Sequence, residues 1–149
     1  MDHRIRPEDR FKEFSSWISA YFKHGDISLQ NPDVLSWVEP STVHPATINN
    51  MTMEEQKEII CTGKEVQDEI PYLHDSLEQF RHAYRKSFFD DSVRTLFPGF
   101  KVSFLVGEMS PAFSVSAYWM LQNDMKETGK PLNIRLILDS NHFVSLLQV

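Results

Sequence analysis

The stretch that decides the fold is residues 102–138, VSFLVGEMSPAFSVSAYWMLQNDMKETGKPLNIRLIL. Its two ends are short apolar runs, Val102–Val106 and Ile134–Leu138. Each is bounded by turn formers, Gly107 after the first and Gly129 with Pro131 before the second, which is the pattern of a strand. Between them, Ala112 to Thr128 is long enough for a helix, with Phe113, Ala117, Met120 and Leu121 available to face a sheet and Gly129 placed to close it. Strand, helix, strand within this stretch predicts a βαβ unit with parallel strands and a right-handed crossover.

Parallel strands are normally covered on both faces and belong to larger sheets, because two or three alone bury too little apolar surface to stand in water. Residues 1–100 offer no convincing strand to enlarge this one. They read as helix and loop instead. Phe11, Phe14, Trp17, Ile18, Tyr21 and Phe22 recur at helical spacing behind Pro7, predicting a helix from about Pro7 to Lys23 that is stopped at His24-Gly25-Asp26. A proline-containing loop follows, with a short helix expected around Asp33 to Val38. Thr52-Met53-Glu54-Glu55 matches the capping box and starts a helix expected to reach Cys61 or Thr62 and end at Gly63. Leu73, Leu77, Phe80, Tyr84 and Phe88 then form one apolar stripe on a helix ending near Phe89. The expected fold class is therefore α/β: one domain over 1–149, with a mostly helical cap region at about 1–97 and a βαβ unit at 98–149.

Composition narrows the function classes. The chain has 149 residues, 41% of them hydrophobic, a lone Cys61 and a net charge of −6. A single cysteine excludes an internal disulfide framework and fits a reducing compartment. The excess of acid lies entirely in residues 1–100, while the C-terminal third is neutral, so nothing attracts a phosphate backbone and no nucleic acid is expected as partner. No apolar run approaches the roughly 20 residues that span a bilayer, and no apolar signal core follows Met1, so neither membrane nor secretory routing is expected. Cytoplasmic location follows.

Among titratable residues, His142 is the most informative. It lies in Leu138-Asp139-Ser140-Asn141-His142-Phe143, just past the end of an expected parallel strand, where catalytic groups gather in open α/β sheets. An imidazole titrating near pH ~6.5 suits a general base; the plain alternative is a polar loop histidine. Glu108, after the preceding strand, is placed to orient such a histidine or to stand as a solvated loop carboxylate. Ser110 sits where a nucleophile elbow would place its serine, but the flanking glycines of GxSxG are replaced by Glu108 and Ala112. Its simpler role is the N-cap of the crossover helix, with Pro111 at the first helical position. His74, Glu78 and His82 share a helix face at spacing too long for one ion, and Cys61 has no CxxC partner. No metal site and no cofactor are expected.

With these residues in place, the second half resembles the C-terminal part of the α/β-hydrolase fold superfamily. Lys101–Glu108 resembles the penultimate core strand, and Asn133–Phe143 resembles the last strand with the turn that carries the catalytic histidine. Gly107-Glu108-Met109-Ser110-Pro111, Tyr118-Trp119 and Asn141-His142-Phe143 together are similar to fungal members of toxin and other secondary-metabolite pathways, and Tyr21–Asp26 with the proline-rich stretch resembles their cap. The resemblance implies His142 as triad base, Glu108 as a fallback for the acid, and an ester or related acyl bond in a small apolar metabolite as substrate. It also offers the peroxisome as an alternative location, although Leu147-Gln148-Val149 is not an SKL-type address. The elbow, oxyanion hole and earlier strands have no counterpart, so the expectation is a partial hydrolase, not catalytic alone. Two alternatives stay open. One is a noncatalytic module that completes its sheet with a partner or a second copy; the other is a small esterase using Ser110, His142 and Glu108.

Overall fold

The computed structural model describes residues 6–60, 76–96, 98–99 and 101–143. Helices α1 (Pro7–Ile18), α2 (Met53–Ile59), α3 (Leu77–Phe89) and α4 (Asp91–Arg94) precede strand β1 (Ser103–Gly107), helix α5 (Ala112–Thr128) and strand β2 (Asn133–Ile137). The two strands pair in parallel, with Phe104 opposite Ile134 and Val106 opposite Leu136. The expected strand, helix and strand are therefore present within one residue of their anticipated bounds. Gly129 closes α5 in the left-handed conformation, φ 67°, which a residue without Cβ adopts freely.

Upstream of the strands the outcome is mixed. The capping box forms as expected, the Thr52 hydroxyl accepting from the Glu55 backbone and the Glu55 carboxylate accepting from the Thr52 N–H. Residues 61–75 lie outside the described residues, and with them Cys61, Gly63, Leu73 and His74. Helix α1 stops at Ile18, five residues short of Lys23. Its end is set by tertiary pairing: the Phe22 N–H donates to the Met109 carbonyl at 2.8 Å, and the Ser19 carbonyl accepts from Thr47 N–H at 2.8 Å. Those backbone groups are used across the molecule instead of along a helix. The short helix expected at Asp33–Val38 is a single 3₁₀ turn, Pro32–Val34.

Apolar side chains collect at two places. Leu35, Ala112, Val115 and Trp119 form one buried cluster, joined by Ile27, Val34 and Tyr118 from either side. Ala20, Phe22 and Ala46 form the other, flanked by Trp17 and Ile48. The first seats the proline-rich loop on α5, and the Trp119 indole N–H donates to the Ile27 carbonyl at 3.1 Å as its polar anchor. Helix α3 reaches α5 at the far end, where Tyr84 donates to the buried Asp124 carboxylate at 2.9 Å and Lys130 Nζ donates to the Phe89 carbonyl at 2.6 Å. Among the described residues no helix is long and apolar enough to cross a membrane.

Candidate functional site

The site forms at the carboxyl ends of the two strands. Gly107, the last residue of β1, lies so close to the turn after β2 that a Cβ there would overlap the Ser140 and Asn141 carbonyl oxygens. Glycine at this point lets two backbones meet. Just beyond, Glu108 N–H donates to the Ile137 carbonyl at 2.9 Å and Met109 N–H to the Ser140 carbonyl at 2.8 Å, so the pairing continues past the strands into both turns. Asp139 takes the left-handed conformation, φ 53°, and its N–H donates to the Glu108 carboxylate at 3.2 Å. Glu108 thus braces the bend of the opposite turn.

Asn141 fixes that turn to the rest of the molecule. It is wholly buried, its side-chain amide donates to the Ser19 carbonyl and to Thr47 Oγ1, both at 2.6 Å, and its Oδ1 accepts from Phe143 N–H at 3.0 Å. Next in the chain stands His142. Its ring makes edge-on contacts with Phe113 and Phe143, at centroid distances of 6.0 and 5.5 Å, and its Nδ1 lies 3.3 Å from Ser114 Oγ. Partial burial beside these rings holds the imidazole below its ordinary pKa, because the charged form loses hydration. At neutral pH the ring is uncharged and able to take a proton.

Ser110 occupies a different environment from the one its sequence context suggests. Helix α5 begins at Ala112, so Pro111 stands at the N-cap and Ser110 lies outside it. The correction has a local cause: Ser110 N–H closes a turn onto the Gly107 carbonyl at 3.1 Å, and its own carbonyl accepts from His24 Nε2 at 2.8 Å. The Ser110 side chain is 1% exposed, and its hydroxyl has no hydrogen-bond partner among the described residues. No hydrogen bond among the described residues joins either Ser110 or Glu108 to His142. The trio that a small esterase would need is therefore not brought together.

His24 is a tie across the molecule, not the helix stop expected from sequence. Its Nδ1 accepts from Ser36 N–H at 2.9 Å, which requires the hydrogen to sit on Nε2, the atom facing Ser110 O. Ser114, Asn141 and His24 were all missed by sequence reasoning. Asn141 carried a signal in its place beside the expected base, whereas Ser114 and His24 acquire their roles only through contacts 28 and 86 residues away. Elsewhere, a cleft of about 750 Å³ opens at the amino ends of the strands, lined by Phe88, Arg94, Lys101, Leu132 and Asn133 among others. His142, Ser114 and Glu108 are absent from its walls. Among the described residues no group of three or more His, Cys, Asp or Glu side chains is placed to hold a metal ion. In comparisons with known proteins, no family model, no curated protein and no solved structure matches the chain.

Proposed function

We propose that this chain is the closing part of an α/β-hydrolase-type fold, supplying a cover and the last two strands and presenting His142 as general base for cleavage of an ester or related acyl bond in a small apolar metabolite. The observation that carries the reading is an imidazole placed on the turn that follows the second strand of a parallel βαβ unit, next to the buried Asn141 that pins that turn. Bases and ligands collect at the carboxyl ends of such strands. Acyl transfer also needs an activated hydroxyl and donors for the developing oxyanion. With Ser110 enclosed, those groups are assigned to the polypeptide that completes the sheet.

Two measurements test this. The purified chain, given a fluorophosphonate probe and p-nitrophenyl esters, is expected neither to label nor to turn over. The full transcript is expected to encode, in frame and upstream, a strand followed by Gly-x-Ser-x-Gly. Stoichiometric labelling of Ser110, or ester turnover lost in His142→Ala, overturns the reading. A second reading, a noncatalytic module that adds its sheet to a partner or another copy, is favoured by one observation: among the described residues the sheet has only two strands, so each keeps an unpaired edge, and Leu105 is 53% exposed. Stable dimers together with an upstream sequence lacking any nucleophile motif select it.

A further inference from the structure

A histidine that works as a base needs one ring nitrogen protonated and held, so that the other presents its lone pair in a fixed direction. A carboxylate usually does the holding. Here Glu108 is engaged with Asp139 N–H, and no carboxylate among the described residues bonds to His142. The group that does approach is Ser114 Oγ, 3.3 Å from Nδ1.

The surroundings explain why that hydroxyl is available. Serines within helices commonly bond back to the carbonyl four residues earlier, as Ser116 does to Ala112 at 2.9 Å. For Ser114 that carbonyl belongs to Ser110, and it is already engaged by His24 Nε2 at 2.8 Å. Ser110 also lies outside helix α5, and among the described residues the Ser114 hydroxyl bonds to the imidazole and not back to a carbonyl. Ser114 itself stands on the first turn of the 17-residue helix α5, its N–H bonded to the Pro111 carbonyl, so its backbone is fixed. The edge-on rings of Phe113 and Phe143 restrict the imidazole from two further directions.

We propose that Ser114 is the positioning residue of His142: its hydroxyl accepts the Nδ1 hydrogen and leaves the Nε2 lone pair as the proton acceptor. The proposal rests on the reading of His142 as a base and specifies how that base is prepared. A hydroxyl accepts from Nδ1–H in the neutral ring and in the imidazolium alike, so the same contact serves before and after proton transfer.

The test is the tautomer of His142 in the full, uniformly ¹⁵N-labelled chain, read from long-range ¹H–¹⁵N correlations at a pH where the ring is neutral. The His142 peaks are identified by their loss in His142→Gln. The expected result is a majority Nδ1–H form in the wild type, inversion to a majority Nε2–H form in Ser114→Ala, and retention of Nδ1–H in Ser114→Thr. A majority Nε2–H form in the wild type overturns the proposal, as does an unchanged ratio in Ser114→Ala with an unchanged amide fingerprint. If the alanine variant disturbs that fingerprint, the wild type and Ser114→Thr decide the matter. No substrate enters the measurement, so its failure is distinct from failure of the hydrolase reading, which is decided by the upstream sequence and the turnover assay.

Discussion

Asn141 sets the position of its neighbour from inside the protein. Its amide hydrogens are both used on groups from the first third of the chain, Ser19 and Thr47, with no exposed surface through which water could substitute. Asn141→Ala removes both bonds and the one its Oδ1 accepts from Phe143 N–H, which costs about 2–4 kcal/mol, measurable as a lower urea midpoint. His142 carries a pH signature. Its folded-state pKa lies below the ordinary imidazole value of about 6.5, so between those two values the unfolded chain binds a proton that the native chain refuses. Stability is therefore expected to be unaffected by this residue above about pH 7 and to fall as pH drops below about 6.5. His142→Gln should lose that part of the slope, in denaturation curves taken from pH 8 to 5. An identical slope in the variant would remove the argument.

At the scale of elements, the approach of β1 to the turn after β2 depends on Gly107. Gly107→Ala drives a Cβ into two backbone carbonyls, which cannot move aside as a flexible side chain would. The expected loss is about 3 kcal/mol or more, read by thermal or urea unfolding, with the His142 resonances among the most displaced. Helix α3 makes the opposite point. Its apolar stripe was legible in the sequence, yet Leu77 and Phe80 are 59% and 47% exposed, and among the described residues its aromatic contacts lie at the far end, where Tyr84 meets Phe88 and Phe89, and Phe88 meets Phe104. Periodicity identifies which face a helix offers, not how much of it finds a neighbour. The Tyr84 hydroxyl, partly buried and donating to Asp124, has its pKa pushed well up, so it stays protonated throughout the neutral range. Tyr84→Phe leaves the Asp124 carboxylate short of one donor and is expected to cost about 1–2 kcal/mol, seen in the unfolding midpoint at pH 7.

For the whole molecule, the dominant feature is a parallel sheet of two strands among the described residues, with Leu105 and the following Leu138 each more than half exposed. Such a surface favours association. Sedimentation velocity is expected to give a mass above the monomer that grows with concentration, and the pair Leu105→Lys and Leu138→Lys is expected to shift it toward the monomer. A monomer at every concentration, unfolding cooperatively, would show that the sheet needs no completion. What the sequence determined alone were features encoded locally: the βαβ order, Gly129 as the end of α5, the Thr52–Glu55 cap, and the place of His142 after a strand. Each rests on side chains within a few positions of one another, where spacing and backbone preference are sufficient. Tertiary structure alone decided that α1 ends at Ile18, that Ser110 is enclosed, that Ser114 meets the imidazole, and that Asn141 and His24 tie distant segments together. Those outcomes depend on which distant carbonyl claims which donor, and a competition between groups 28 to 122 residues apart leaves no mark in local pattern.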